Sequence, residues 1–552
     1  MILHKPANNI FFYMKYKLPE CCKIFTVFFI TVSFTVNAYS QIIYQPYSYQ
    51  FYQKLNSDIY STGSALHTAI KPYCIADSAL KLKYDSLLHT DLHTPKKSWL
   101  HRILFDQHMV DIKKEDYTFY FDYITDLQLG REFQAGTSTN LNTRGYQAGG
   151  TIGSKFFFYT SGFENQGKFA NYVQNYINTV KVVPGQAPDR SLIGQSSIKN
   201  SSDWSYVTSM IGFAPSKNLS FELGQDKTFI GDGYRSVLLS DYAANYPLLR
   251  LKADFGKVQY MAMWAYMDDQ RAVTFDLNKS GPSNRRKWGV FHYIDWNVTN
   301  KLSAGFFNAL IAAETDDKGN RHGFDFNYIN PVLFVPSLGP GGPIPDHALF
   351  GFNGKYKVLS KTTVYGQLLF DQSTGSSDTR TAYQLGFRGA DLFKVNTLNY
   401  LFEYNTASPY TYANQNPVVS YANFSEPLAH PFGANFQEWL GIMNYSVGKF
   451  DFQGEVIYSR YGLNTNSLNY GKDITQADNV SLPAGNASTT QGLATSLKYA
   501  EGTVSYMLNP KFNLRVELSG LYREETNNLS TTKTTLITIG LRSSFRNLYH
   551  DF

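Results

Sequence analysis

The sequence predicts an all-β fold: a transmembrane outer-membrane β-barrel of about 18 antiparallel strands, preceded by a small N-terminal periplasmic helical segment. Three observations carry that expectation. Apolar and polar residues alternate with period two over segments of about 10–13 residues, the length a tilted membrane strand requires, where soluble strands run to roughly 5–6. The connections between segments alternate between short turns and long polar loops. After residue 41 no apolar stretch reaches the roughly 20 residues of a membrane helix.

Composition agrees with a wall that has one greasy face. Charged residues are 17% of the 552, aromatics 16%, and Tyr and Phe number 41 each; soluble domains carry roughly 25% charge. A mean hydropathy of −0.30 excludes a bundle of hydrophobic helices. The first 40 residues hold Lys5, Lys15, Lys17 and Lys23 against Glu20 alone, and without them the formal net charge falls from +6 to +3. That balance is too weak to imply a nucleic-acid partner.

Ile24 to Val36 is an apolar run of 13 residues behind a basic stretch, followed by Ala38, Tyr39 and Ser40. Its length suits a signal-peptide core rather than a bilayer span. Residues 1–40 are therefore expected to be a signal peptide cut before Gln41, with Met14 as an alternative start. Cys21 and Cys22 precede the apolar core, which argues against a lipoprotein anchor, and the mature chain keeps only Cys74. One thiol forms no internal disulfide.

Residues 41–116 lack the two-residue rhythm. Segments 86–89 and 99–105 look helical, with Pro72 and Pro95 as breaks, so this part is expected to be an N-terminal periplasmic segment. The barrel is expected over 117–552. Leu249, Leu251 and Ala253 alternate with Arg250, Lys252 and Asp254; Phe450, Phe452 and Val456 alternate with Asp451, Gln453 and Glu455. Successive strand side chains point to opposite faces, so each segment has one apolar and one polar face. Eighteen such segments run from 117–129 to 534–545, an even number. Tight turns at 215–218, 298–301, 446–449 and 508–511 alternate with long loops at 167–202, 268–285, 314–347, 409–434 and 464–494. Short periplasmic turns and long outer loops are the habit of outer-membrane barrels, which puts both ends of the barrel in the periplasm. A terminal aromatic such as Phe552 is also a common assembly cue for such proteins.

Several residues are candidates for contact with a ligand or with the lumen. Glu222, Asp226, Lys227, Asp232, Arg235 and Asp241 straddle a strand and the following loop. They suit either a glycan-contacting patch at the outer mouth or a salt-bridge network inside the barrel, and inward polar residues on every strand favour the second. Gly231 and Gly233 around Asp232 suggest a turn rather than a phosphate cradle, since no Gly-Lys-Ser/Thr follows. Loop 314–347, with Asp325, Asn330 and a Gly/Pro run at 339–345, either folds into the lumen or stays outside. If it folds in, Asp346, Gln367, Asp371 and Glu403 are candidate wall partners. Tyr410, Tyr412, Tyr421, His430 and Phe432 in the next long loop either stack on sugar rings or cover the barrel mouth.

Nothing points to catalysis, a metal or a cofactor. There is no His-Glu-x-x-His and no Gly-x-Ser-x-Gly, and residues 316–320 lack the register and distal Glu of a calcium loop.

Several longer strings resemble the RemB-like gliding-motility proteins of Bacteroidetes. They are Gly224–Asp241 (GQDKTFIGDGYRSVLLSD), Tyr293–Thr299, Gly323–Pro331, Tyr365–Asp371, Glu403-Tyr404, Pro409–Tyr412, Gly433–Phe436, Ile539–Arg542 and Asp551-Phe552. The likeness covers most of 117–552 in the same order, and the region before Tyr117 matches poorly. That family is similar to the Wzi capsule-assembly proteins, barrels of 18 strands with a small periplasmic helical part. The resemblance implies a non-enzymatic outer-membrane protein that supports gliding motility or holds surface polysaccharide. It would meet outer-membrane lipid, the barrel-assembly machinery, and surface polysaccharide or gliding-machinery components. A porin or substrate-specific channel is the alternative, and an outer-membrane hydrolase a third.

Overall fold

A computed structural model describes residues 43–552 apart from 76–77, 89–96, 193–200, 270–284, 316–319, 322–325, 330–346, 373–379, 466–467 and 479–487. The expected signal peptide lies outside the described residues. Eighteen antiparallel strands form a closed barrel. Going round the ring, β1 spans Tyr117–Glu132, β2 Thr137–Ile152, β3 Phe156–Lys168, β4 Ser202–Ser216, β5 Leu219–Asp226 and β6 Tyr246–Asp254. Next come β7 Val258–Asp269, β8 Arg285–Asn297, β9 Leu302–Ala313, β10 His347–Leu359, β11 Thr362–Gln372 and β12 Arg380–Gly389. The last six are β13 Leu398–Ala407, β14 Phe436–Val447, β15 Phe450–Leu463, β16 Leu493–Asn509, β17 Leu514–Thr526 and β18 Thr531–Arg542.

The ring closes where β18 pairs with β1, from Leu536 opposite Glu132 to Leu541 opposite Leu127. This leaves the lower part of that edge of β1 open. A short strand, Val110–Lys113, covers it by pairing Val110 with Phe121 and Lys113 with Thr118. An uncovered strand edge invites foreign pairing, so a piece of the segment expected to be helical completes the wall.

The alternation sorts as the sequence implies. Leu249 is 41% exposed on the outer face while its neighbour Arg250 is fully buried inside. Phe402 faces out and Glu403 in, Val456 out and Glu455 in. Opposite charges meet across strands: Glu222 of β5 pairs in register with Arg250 of β6, whose Nε donates to it at 2.7 Å, and Lys252 adds a contact at 2.8 Å.

Connections at one end of the barrel are tight, as at 217–218, 360–361 and 448–449, except the eight residues 390–397 between β12 and β13. At the other end most are long, but 133–136 and 527–530 are tight as well. Residues 130–142, which lie between the segments expected at 117–129 and 143–153, are largely strand because β1 and β2 run to 16 residues each. Their Thr, Ser and Asn side chains read as loop composition, yet backbone pairing tolerates them. In the N-terminal part, helix Trp99–Phe105 matches its expected span, with Ser98 as N-cap accepting from the His101 amide. Helix Ser78–Leu87 replaces the shorter one expected at 86–89.

Ile211 is 65% exposed on the outer face of β4. Ile211→Lys is expected to cost roughly 2–4 kcal/mol if it sits near the bilayer centre. A lowered midpoint in urea unfolding from lipid vesicles checks this, and an unchanged midpoint would mean the face does not meet hydrocarbon.

Candidate functional site

The connection from β5 to β6, residues 227–245, turns into the barrel instead of leaving it. Its run Val237-Leu238-Leu239 is fully buried and packs in one cluster with inward residues of the wall such as Met261, Met263, Phe291, Phe307 and Leu369. Burying each large apolar side chain contributes about 1.5–3 kcal/mol relative to exposure, so this run anchors the loop inside.

The loop crosses the lumen to strands six to eight positions along the ring. Glu403 of β13 accepts the Tyr234 amide at 2.6 Å and the Arg235 amide at 3.1 Å. Gln367 of β11 accepts the Val237 amide at 2.9 Å, and Gln384 of β12 donates to the Arg235 carbonyl at 2.9 Å. The glycines permit that approach. Gly231 takes φ +140°, and a Cβ on Gly233 would strike the Glu403 carboxylate.

Asp232 is the hub of one end. It accepts from the Tyr60 hydroxyl at 3.0 Å and from the Thr68 hydroxyl, and Lys355 lies 3.8 Å away. Arg388 donates to its carbonyl. Burial alone would push the Asp232 carboxyl up, but Lys355, Lys71, the Thr68 hydroxyl and Arg388 outweigh it and hold it at about 2. Arg235 is the second hub, 3.0 Å from Asp551 and 3.4 Å from Glu438. His430 contacts Glu438 at 2.8 Å.

Two further segments join the plug. Residues 43–75 lie against lumenal groups: Tyr44 donates to Asp226, and Arg388 donates to Asn56 at 2.7 Å. After β18 the tail turns back inside, where Asn547 donates to Asp241 at 2.7 Å and Tyr234 donates to Asp551 at 2.8 Å. The Phe552 ring sits 4.7 Å from Tyr176 and 5.9 Å from Tyr172, centre to centre. Phe552, expected as an assembly cue, therefore packs inside rather than against lipid.

Glu222, Asp226, Lys227, Asp232, Arg235 and Asp241 are thus all buried in the lumen, with Lys227 donating to the Gly185 and Asp241 carbonyls. None is offered to a glycan at the outer mouth. Gln367, Asp371 and Glu403 stand on the inner wall and receive loops 227–245 and 408–435; Asp371 accepts the Tyr412 amide at 2.6 Å and meets His347, at the end of segment 314–347, at 2.7 Å. Asp325, Asn330 and Asp346 lie outside the described residues. The reading of Tyr410 and Tyr412 as sugar-stacking faces is corrected by their packing. Tyr412 is fully buried and donates to the Val237 carbonyl at 2.7 Å, and Tyr410 donates to the Asn469 carbonyl. Tyr421 likewise donates to the Leu238 carbonyl at 2.7 Å.

Glu426, passed over in the sequence, ties three loops together by accepting the Gly185 amide at 2.9 Å, the Ala244 amide at 3.0 Å and the Tyr176 hydroxyl at 3.3 Å. One signal could have exposed the plug. Segments 260–267 and 302–313 are apolar on both faces, as a wall needs when its inner side meets packed protein. Among the described residues, no three His, Cys, Asp or Glu side chains converge as metal ligands do.

No protein-family profile and no curated protein matches the chain. Among solved structures, the barrel is similar to Wzi of Escherichia coli, described as a carbohydrate-binding β-barrel involved in group 1 capsule assembly, with a TM-score of 0.53 at 12% identity over 92% of this chain and 100% of that one. OprD of Pseudomonas aeruginosa aligns at a TM-score of 0.41 and 10% identity over 77% of this chain and 94% of that one. OccK2 of the same organism, solved with glucuronate, aligns at 0.41 and 8% identity over 77% and 97%.

Two variants probe the plug. Arg235→Gln leaves Glu438 and Asp551 buried without their cation, at a cost of roughly 3–5 kcal/mol, so the temperature at which gel migration changes should fall; no shift would mean the pair is not buried. The depressed Asp232 carboxyl adds stability that is complete above about pH 4 and lost as pH falls through about 2. An acid titration followed by conductance should show the plug loosening in that window, and Asp232→Asn should remove that part of the response.

Proposed function

We propose that this chain is a non-enzymatic outer-membrane barrel that holds polysaccharide at the cell face, in the service of capsule or gliding. The observation that carries the reading is the filled lumen. Loops 227–245 and 408–435, the N-terminal segment and the C-terminal tail pack against one another and against the wall through buried apolar and charged contacts. A barrel so filled leaves no wide aqueous path among the described residues, and its outer loops become its working surface. Fold likeness to Wzi and the resemblance of the strings around Gly224–Asp241 to RemB-like proteins support the same direction. On this reading the partners are surface polysaccharide and, where the cell glides, gliding-machinery components.

A substrate-specific channel is the second reading. It is favoured by one observation, a crevice of about 180 Å³ with mixed polar and apolar lining left beside the plug along β14 to β18 and on to β1 and β2.

Planar-bilayer recording separates the two. The intact barrel is expected to conduct little, and removing 228–244 to open it widely. Cells lacking the protein should shed polysaccharide into the medium that wild-type cells retain. A large steady conductance from the intact barrel, with retention unchanged in the deletion strain, would overturn the proposal.

A further inference from the structure

A stretch of the N-terminal segment carries an uncovered apolar face at the tight-turn end of the barrel. In helix Trp99–Phe105, Trp99 is 66% and Leu100 58% exposed, and Leu104 is exposed one turn after Leu100, on the same side of the helix. Met109, Val110 and Ile112 follow, also exposed. A surface that meets only water rarely leaves so many large apolar side chains together.

The wall holds this stretch in place, so its apolar face cannot turn inward. The Asn509 side-chain amide donates to the Ile103 carbonyl at 2.8 Å and to the Gln107 carbonyl at 3.0 Å. His108 contacts Asp122 at 2.6 Å, and the Met109 amide donates to the same carboxylate at 2.9 Å. Of the helix, Ile103 alone is buried.

What covers the face follows from its continuity with the lipid-facing wall. Val110 stands opposite Phe121 and Ile112 opposite Phe119, and directly paired residues share a face of the sheet. On β1 that face also carries the exposed Tyr123 and Leu127, while Asp122 and Asp126 point inward. The seam strand thus extends the apolar outer surface toward the helix. The height agrees. Tyr117, Phe156, Trp296 and Tyr506 are exposed near this end of their strands, where an aromatic girdle meets the headgroups. Asn509, which holds the helix, follows Tyr506 by three residues on β16. Charge does not compete, because over 97–116 four Lys and Arg balance four Asp and Glu.

We propose that Trp99–Ile112 is an interfacial anchor that lays Trp99, Leu100, Leu104 and Met109 into the phospholipid leaflet at the tight-turn end of the barrel. The apolar face of such a helix sinks about 5–10 Å into the boundary between headgroups and acyl chains, the depth that suits an indole. With its charges balanced, the anchor takes lipid by apolar burial rather than by headgroup charge. It gives the N-terminal segment a hold on the membrane beside the seam of β18 and β1, where a strand from outside the ring completes the wall. The anchor stands independently of what the outer loops bind.

The test is fluorescence quenching of the full-length barrel in phosphatidylcholine vesicles, with its own cysteines replaced by serine and a nitrobenzoxadiazole label on Leu100→Cys or Leu104→Cys. Asp58→Cys, exposed in the same N-terminal segment, is the aqueous reference. Labels at positions 100 and 104 are expected to emit to the blue of the reference. They should lose intensity about twofold to lipid brominated near the glycerol end, and less to lipid brominated near the chain end. Dissolved iodide should quench the reference alone. Heat-modifiable migration selects the variants that fold, and Met109→Cys gives a third position on the same face. Iodide quenching at 100 and 104 equal to the reference would put the face in water. Protection from iodide without quenching by brominated lipid would put it against protein, such as a second copy. Either result would overturn the proposal.

Discussion

An unpaired backbone group in hydrocarbon costs several kcal/mol, and the rest of this structure follows from that constraint. A sheet crossing the membrane must close, and here it closes at Leu536–Leu541 against Leu127–Glu132. Because β18 stops short of the base of β1, the strand Val110–Lys113 is recruited to the remaining edge. Closure at eighteen strands then encloses more space than the wall's own side chains fill. The interior must hold either water or protein, and in this chain most of it holds protein.

Filling the lumen with chain raises a second problem, since each inserted segment brings polar backbone with it. The wall answers with side chains in register with the intruding amides and carbonyls. Glu403, Gln367 and Gln384 meet residues 234–237, and Asp371 meets Tyr412. Arg235 and Asp232 join loop, tail and N-terminal segment at two points. The packing between Val237–Leu239 and Met261, Phe291 and Leu369 supplies non-directional adhesion, and the polar contacts set the position. Beside the plug a crevice of about 180 Å³ is left unfilled against the wall.

Much of the wall was legible because strand alternation is local: Leu249 against Arg250, or Phe402 against Glu403, declares inside and outside from two adjacent letters. The number of strands followed from counting such segments. The extended pairing of β1 and β2 over 130–142 was hidden, because Thr139 and Asn140 in a strand look the same as in a loop. The lumenal network was legible in composition, since Asp226, Asp232 and Arg235 sit too close together on one strand and turn to be ordinary surface. Its route was not. That Tyr234 meets Glu403, or that Phe552 settles among Tyr172 and Tyr176, is decided by contacts well over a hundred residues apart, with no periodic signature. The same holds for Tyr410 and Tyr412, whose aromatic, loop-like surroundings suggest exposure until Val237 and Asn469 are seen to accept their hydroxyls.

The filled-barrel reading of this protein depends on the loop between β5 and β6 being part of the interior. Hydrogen–deuterium exchange on the purified barrel measures that directly. Amides of residues 228–244 are expected to exchange nearly as slowly as those of the flanking strands, because most of their donors are paired and the segment is buried. Complete exchange of that peptide within seconds, as for an outer loop, would contradict the account.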